Sequence, residues 1–411
     1  MSAKGGSAFG GKKIFNMENL IYLTVIFLPA YLIRFKIFGI PTNILEMLIL
    51  FIFIGWIINF KKDAINYLPA SRHGASAIGY KKYIIPIFFI FLGLAISTLA
   101  NGGYAAGLGI IKSWFFFPML FVFLASQILD KEKIINVYKS LYLSAFLVSL
   151  ISLGYLFSGH ITYDGRLQGF FNSPNYLAMY LAPALIMLVQ VQSFPSKADQ
   201  LMAEKLKVLI LLSGSIILIT FYFTYSYAAW ISVILSLIMV SIIKNKALVK
   251  NKTIIILVLL AASLFIIQLN SEKLINLKNY NRSSLESRII IWKSAEKMLE
   301  NNWVFGIGPG NFQEKYLEYQ KYYPPYLEWA VPHPHNLYLA FWLYGGVLGF
   351  LGFIFLLGFW LEDIIKKSDS IVKFIAFSIM FYILIHGAID TNYFKNDLAI
   401  IFWLNFLIFK I

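Results

Sequence analysis

The chain has 411 residues, of which 59% are hydrophobic, 18% are aromatic and only 13% are charged. A soluble domain is closer to a quarter charged, so the composition excludes an ordinary soluble protein and predicts an integral membrane protein. The formal net charge of +15 does not indicate nucleic-acid binding, because the basic residues lie in short clusters between apolar runs, as in membrane loops. The lack of cysteine excludes disulfides, thiolate metal sites and a cysteine nucleophile.

Apolar segments long enough to cross a bilayer, about 20 residues each, follow one another along most of the chain. They predict an all-α membrane protein with about twelve transmembrane helices, at 14–33, 43–60, 83–100, 110–128, 135–157, 175–192, 206–223, 227–243, 253–270, 335–359, 371–389 and 396–410. The first span lacks a small-residue cleavage site and is expected to be retained. The predicted organisation is a flexible cytoplasmic N-terminus (1–13), helices 1–9 (14–270), a long, partly helical periplasmic segment (271–334) and helices 10–12 (335–411).

Lysine and arginine predict the orientation of these helices. Twelve spans place both termini on one side of the membrane, and 22 of the 35 basic residues lie on that side. Eight of the other 13 belong to the segment 271–334, where the positive-inside rule has little force because the segment is long. We therefore expect an inner-membrane protein with both termini in the cytoplasm and the segment 271–334 on the periplasmic face.

One short external loop, GHITYDGRLQGFFNSPN, contains a candidate anion-binding residue. Arg166 is among the few basic residues in such loops, and Asn175 follows it at the start of the next span. A guanidinium presents a planar fork of donors that suits phosphate. The alternative is an arginine that anchors the protein in the headgroup region of the membrane.

A second candidate lies in a predicted helix of the long external segment. Ser283 and Glu286 have the spacing of a capping box, so a helix is expected to start there. Arg288 would lie in its second turn and share an otherwise apolar face with Trp292. An arginine near a helix N-terminus can bind an anion. The alternative is an amphipathic helix on the bilayer surface, with Arg288 reaching towards the headgroups.

His335 lies where the external segment meets the next apolar span, in the run Pro-His-Pro-His-Asn. Histidine titrates near neutral pH and can take a proton from a sugar hydroxyl. His333 and His335 could instead bind a metal, but no clustered acidic ligands accompany them, so no metal site is predicted. His386 and Asp390 are four residues apart, which would put both on one helix face at the external end of a span, and ionisable groups there usually face a cavity.

Two arginines and a histidine on the external face suit the transfer of a group away from a diphosphate. The cations would stabilise the departing diphosphate while the histidine activates the acceptor. Because no nucleotide is expected outside the cytoplasmic membrane, the donor would be linked to a lipid.

The chain resembles the O-antigen ligase and O-antigen polymerase superfamily of polytopic bacterial membrane enzymes. The matching segments are GRLQGFFNSPNYLA (165–178), SRIIIWKSAEKMLENNWVFGIGPGNF (287–312), HNLYLAFWLYGGVLG (335–349) and HGAIDTNYFKNDLAIIFW (386–403). The resemblance implies metal-independent glycan transfer from an undecaprenyl diphosphate carrier on the periplasmic face. It also implies that Arg166 and Arg288 bind the diphosphate and that His335 is catalytic. Ser226-Tyr227 departs from the Ser-Arg of many members, which argues against a third arginine contact there.

The sequence therefore predicts a ligase-like glycosyltransferase that moves a glycan, with inversion, to a hydroxyl of lipid A core or a related acceptor. The expected partners are the lipid-linked donor, the acceptor and membrane lipids, without nucleic acid, metal or cofactor. Further candidates for substrate binding are Asn175, Trp292, His333, Asn336, His386 and Asp390. One alternative is a polymerase that uses a second lipid-linked repeat as acceptor. Another is a flippase or transporter, which is disfavoured because the polar candidates lie at the external end and not at the midplane.

Overall fold

A computed structural model describes residues 16–66, 77–191, 200–245, 266, 284–325 and 331–410. Within these ranges the chain is almost entirely helical, and its strands form one short hairpin. The predicted N-terminal segment 1–13 and, apart from residue 266, the predicted ninth span at 253–270 lie outside the described residues.

The helices before residue 246 follow the predicted order. They are α1 (Met17–Ile26), α2 (Ile44–Asn66), α3 (Ala77–Asn101), α4 (Tyr104–Ile110), α5 (Phe117–Ile128), α6 (Ile134–Phe157), α7 (Pro174–Val191), α8 (Gln200–Phe223) and α9 (Tyr227–Asn245). A π-helical stretch, Ile111–Phe116, joins α4 to α5. The hairpin between α1 and α2 consists of β1 (Arg34–Ile37) and β2 (Ile40–Asn43).

The second part contains α10 (Ser284–Asn302), α11 (Phe312–Tyr319), α12 (Leu337–Lys366), α13 (Ile371–Gly387) and α14 (Asn396–Leu404). A 3-10 helix, Asn405–Lys410, continues α14. Every residue from 396 to 408 is buried, so the predicted twelfth span is a helix of the protein interior. A helix that is apolar on all sides buries all of them.

Among the described residues, four helical segments are long and apolar enough to cross a membrane: Lys81–Asn101, Tyr104–Ile128, Lys131–Phe157 and Leu337–Lys366. Shorter apolar helices cover Met17–Ile26, Ile44–Asn59, Val208–Phe223, Tyr227–Ile243 and Ile371–Gly387. These helices confirm the all-helical, membrane-like architecture, whereas the number of twelve spans stays a prediction. The first predicted span is not one helix, because α1 ends at Ile26 and the 3-10 turn Leu28–Leu32, with Pro29 as its second residue, follows. Proline lacks the N–H that a continuing helix would need.

The β-hairpin was not expected from the sequence, and a buried carboxylate holds its base. Glu46 in the first turn of α2 is 1% exposed. It accepts hydrogen bonds from Thr42 Oγ1 at 2.8 Å, Lys112 Nζ at 2.8 Å and Ser113 Oγ at 2.6 Å. Because Thr42 belongs to β2, this network fixes the hairpin, and with it Arg34, against the start of the π-helical stretch.

Helices α3 and α12 pack closely through glycine. A Cβ on Gly93 would lie 2.4 Å from both the Gly345 carbonyl oxygen and the Gly349 nitrogen. Small residues allow two membrane helices to approach backbone to backbone. This crossing ties the helix that follows His335 to the first part of the chain.

Helix α12 is broken at Gly346, which has φ 61° and ψ −165°. The loop before α11 fills the break and satisfies the backbone groups that it frees. Val347 N donates to the Val304 carbonyl at 3.0 Å, and Ile307 N donates to the Leu343 carbonyl at 2.7 Å. A broken helix in a membrane protein is tolerated where neighbouring segments supply such partners. The break therefore joins the loop that follows α10 to the helix that follows His335.

Candidate active site

Asp390, in the loop between α13 and α14, accepts hydrogen bonds from three of the predicted site residues. His335 Nδ1 lies 2.8 Å from its Oδ1, and Oδ2 lies 3.1 Å from Arg288 Nη2 and 3.3 Å from Asn175 Nδ2. Its side chain is only 3% exposed. Burial by itself would raise the pKa of this carboxyl, but His335 and Arg288 outweigh burial and hold its pKa well below the usual range. Asp390 is therefore an ionised, buried centre of the network.

His335 is held at both its ring and its backbone. Because an ionised Asp390 only accepts hydrogen bonds, we assign the ring proton to Nδ1, which leaves Nε2 as an acceptor. Trp292 Nε1 donates to the His335 carbonyl at 3.1 Å. The backbone has a φ of +45°, a left-handed conformation that is uncommon for residues other than glycine. The ring, 30% exposed, thus carries an oriented acceptor nitrogen.

Arg166, in the loop between α6 and α7, joins the same network through Asn175. Its Nη2 donates to Asn175 Oδ1 at 2.5 Å, and its Nε donates to the Thr224 carbonyl at 2.8 Å. Its Nη1 lies 3.8 Å from Asp164 Oδ2. Burial lowers the pKa of Arg166 and Asp164 opposes that effect, but a guanidinium remains charged at physiological pH. Asn175 thus bridges a buried cation to Asp390.

The predicted helix that carries Arg288 is α10. Ala295 and Leu299, on the predicted face, are 0% and 8% exposed, so this face packs inward. The Arg288 side chain is 13% exposed, which does not fit a helix lying on the bilayer with its arginine among the headgroups. Ser283 of the predicted capping box lies outside the described residues.

A cavity of about 470 Å³ opens beside this network. His335, Asp390 and Asn175 line it, together with Arg34, Tyr176 and Lys395. Arg166 and Arg288 do not line it directly and lie behind Asn175 and Asp390. A larger cavity of about 740 Å³ between α6, α7, α8 and α13 is mostly apolar and contains none of the candidate residues. Of these two cavities, only the smaller one is lined by residues of the candidate site.

His333 also lines the cavity, but as a neutral side chain. Its Nδ1 lies 2.9 Å from the Tyr344 hydroxyl, and its ring stacks on Phe394 with a centroid distance of 6.2 Å. Burial lowers the pKa of His333 to about 3, so it is uncharged at neutral pH. In the described ranges no three histidine, aspartate or glutamate side chains converge where they could hold a metal ion. Metal independence stays a prediction.

Asn336 and His386 occupy structural positions. The Asn336 side chain caps α12, since its Oδ1 accepts from Tyr338 N and Leu339 N, both at 3.0 Å. Its Nδ2 donates to the Ala388 carbonyl at 3.0 Å. His386 is fully buried and stacks on Tyr382 with a centroid distance of 5.5 Å. It does not line the cavity.

Asp390 does not share a helix face with His386, contrary to the prediction from their spacing. Helix α13 ends at Gly387, and Asp390 lies beyond that end, although its N–H still donates to the His386 carbonyl at 2.9 Å. The chain leaves the helix there because Asn336 from another element satisfies the Ala388 carbonyl. The turn sends Asp390 to His335 and leaves His386 in the core.

The cavity is also lined by residues that were not predicted from the sequence, among them Arg34, Tyr176 and Lys395. Arg34 and Lys395 are basic residues of short predicted external loops, as Arg166 is. That shared topological position is the signal that could have identified them.

Comparison with known families finds one matching domain in the chain. A family model described as O-antigen ligase matches residues 212–354. The match includes Arg288, Trp292 and His335, while Arg166 and Asp390 lie outside it. No curated protein matches the chain. The family match confirms the resemblance to the O-antigen ligase and polymerase superfamily.

Proposed function

We propose that this chain, which carries the O-antigen ligase domain, is a membrane glycosyltransferase that moves a glycan from undecaprenyl diphosphate to an acceptor hydroxyl on the periplasmic face. The observation that carries the proposal is the network around Asp390. It links an oriented histidine to Arg288 directly and to Arg166 through Asn175. One arrangement thus combines a base with two cations next to a cavity.

His335 acts as the general base. Its Nε2 takes the proton from the acceptor hydroxyl, and the oxygen attacks the anomeric carbon of the donor glycan. Asp390 holds the ring by its Nδ1 proton and stabilises the imidazolium that forms. General base catalysis of this kind contributes about 10²–10⁴-fold to a rate.

Arg166 and Arg288 stabilise the departing undecaprenyl diphosphate, whose charge grows as the glycosidic bond breaks. Arg166 uses Nε and Nη2 for Thr224 and Asn175, whereas its Nη1 has only the longer contact of 3.8 Å with Asp164. We therefore assign the diphosphate oxygen to Nη1. Two guanidiniums supply the positive charge that a metal ion supplies in other transferases. Because the hydroxyl attacks opposite the leaving group, the anomeric carbon inverts.

Ligase and polymerase reactions use the same kind of lipid-linked donor and differ in the acceptor. A ligase uses lipid A core, whereas a polymerase uses a second lipid-linked repeat. We put the ligase-like reaction first, with the polymerase as the second candidate. A flippase is less well supported, because the polar side chains surround one cavity with an oriented base that transport does not need.

The test uses purified protein in liposomes with a labelled lipid-linked donor and candidate acceptors. We expect His335→Ala and Arg288→Ala to lower transfer by at least about 100-fold, and a chelator to leave the wild-type rate unchanged. His160→Ala, at an exposed histidine, and Lys293→Ala, at an exposed position of α10, are the matched controls. Near-normal transfer by either site variant, with the protein correctly inserted, contradicts the proposal.

A further inference from the structure

The cavity beside His335 has a second group of cations in its wall. Arg34 at the start of β1 and Lys395 immediately before α14 both line it. Neither forms an ion pair with any residue in the described part of the chain. Two cations that face one cavity without a paired carboxylate form a site that favours an anion.

Lys395 is held in a defined position. Its Nζ lies 3.3 Å from the centroid of the Tyr176 ring, a cation–π contact. Asp397 acts on Lys395 electrostatically, but it is 1% exposed and accepts a hydrogen bond from the Leu398 N–H at 2.9 Å. The ammonium group is thus positioned by an aromatic face and not by a salt bridge.

The two groups of cations are separate. Arg166 interacts electrostatically with Arg288, Asp164 and Asp390, whereas Lys395 interacts with Asp397 and Arg34. Asp390 and Lys395 both act electrostatically on the pKa of His333, which lines the same cavity. The cavity is therefore lined by residues of the Asp390 network and by a second pair of cations, Arg34 and Lys395.

We propose that Arg34 and Lys395 bind a phosphate group of the acceptor lipid and so present its hydroxyl to His335. The assignment rests on the proposed function, because it requires an acceptor substrate that Arg34 and Lys395 can bind. In an inverting displacement the attacking and leaving oxygens lie on opposite sides of the reacting carbon, so two anionic substrates need two anion sites. A phosphorylated lipid A core and a lipid-linked diphosphate repeat carry this same chemistry.

The first experiment measures transfer by Arg34→Gln, Lys395→Gln and the double variant, with acceptor and donor varied in turn. We expect the acceptor KM of the double variant to rise by about 10-fold or more, since charge-assisted hydrogen bonds are lost, with the donor KM unchanged. Lys36→Gln, at an exposed position of the same strand, is the control. Acceptors without phosphate remove the difference between wild type and variant. Comparing the core acceptor with the lipid-linked repeat identifies the source of the phosphate.

The second experiment uses the charge of Lys395. Burial lowers the pKa of Lys395 to about 8, with Asp397 opposing that effect and Arg34 adding to it. A lysine is cationic below its pKa, so raising the pH from 7 to 9 should raise the acceptor KM of the wild type. Lys395→Arg keeps its charge and should hold the acceptor KM constant over this range. A purely structural lysine would not give this difference.

The outcomes separate this assignment from the proposed function. If the wild type transfers glycan and the double variant keeps its acceptor KM, the assignment is wrong and the proposed function stands. A rise in the donor KM instead would mean that Arg34 and Lys395 bind the donor, and it would also overturn the assignment. Absence of transfer by the wild type contradicts the proposed function. Binding of the phosphorylated acceptor lipid to purified protein without donor then tests Arg34 and Lys395 independently of turnover, and equal binding by wild type and double variant overturns the assignment.

Discussion

Asp390 contacts His335, Arg288 and Asn175 and so connects the side chains of the proposed site. It orients the His335 ring, pairs with Arg288 and is joined to Arg166 through Asn175. A buried carboxylate is costly unless it is paired and hydrogen-bonded. Here the paired groups are the same ones that the proposed reaction uses, so stability and catalysis depend on one side chain.

Asp390→Asn should therefore lower transfer strongly while the protein still inserts. Asparagine can accept a hydrogen bond from the His335 Nδ1–H. However, it carries no charge to stabilise the imidazolium or to pair with Arg288. We expect a loss of at least about 100-fold in kcat and a lower Tm, because Arg288 would keep its charge without its anionic partner.

Asp369→Asn is the matched control, since Asp369 is 77% exposed and pairs with Lys373 on the protein surface. Transfer by Asp390→Asn within about threefold of the wild type would mean that His335 does not work through a charged partner.

The sequence was sufficient to predict the side chains of the candidate site but not the contacts between them. Arg288 and His335 stand out because they are polar residues in a chain that is otherwise mostly apolar. Asp390 was found only as a substrate-binding candidate. Its partners lie 55, 102 and 215 residues away along the chain, and no local pattern encodes contacts over such separations.

At the level of secondary structure, the break in α12 has the most consequence for the site. His335 lies just before the first part of α12, which ends at the break. The loop that fills the break follows α10, the helix that carries Arg288. A displacement of this loop would move both parts of the site.

Gly346→Ala should destabilise the protein and reduce transfer. The φ and ψ of Gly346, 61° and −165°, fall in a region that essentially only glycine adopts, and strain there costs about 1–3 kcal/mol. A Cβ would also lie 2.2 Å from the Val304 carbonyl oxygen. We expect a lower Tm in detergent together with weaker transfer.

Gly358→Ala, in the same helix, is the control, because a Cβ there has no atom within 4 Å. Equal Tm values for the two variants would contradict the importance of the break.

Helix positions could be predicted because long apolar runs leave few alternatives in a membrane. The break in α12 and the hairpin between α1 and α2 could not. The predicted span at 335–359 is continuous in its apolar character. The interruption is stabilised by a hydrogen bond that the Val304 carbonyl accepts and by one that the Ile307 N–H donates. Glu46 similarly fixes the hairpin through residues that are distant in sequence.

For the whole molecule, the predicted orientation is open to a direct test because the chain has no cysteine. Tyr163 is fully exposed in the loop between α6 and α7, and the side chain of Lys366 at the end of α12 is 70% exposed. A membrane-impermeant maleimide should label Tyr163→Cys in intact spheroplasts. It should label Lys366→Cys only after the membrane is opened. The reverse pattern would invert the topology and put the cavity in the cytoplasm.

Charge counting predicts an orientation, which stays a prediction, whereas hydropathy alone does not decide the number of spans. A run of apolar residues does not distinguish a lipid-facing helix from a buried one. The segment from 396 to 408 is buried throughout, and the first predicted span changes to a 3-10 turn at Pro29. Both features depend on packing and not on hydropathy alone.

The left-handed backbone at His335 also limits the substitutions by which this position could change in evolution. Glycine, asparagine and aspartate adopt a positive φ at little cost, while valine and isoleucine do not. A related chain that had lost the base but kept the fold would be expected to have asparagine or glycine there. A β-branched residue would indicate that the approach to α12 had been rebuilt, so the identity of the replacement would distinguish a silenced enzyme from a remodelled one.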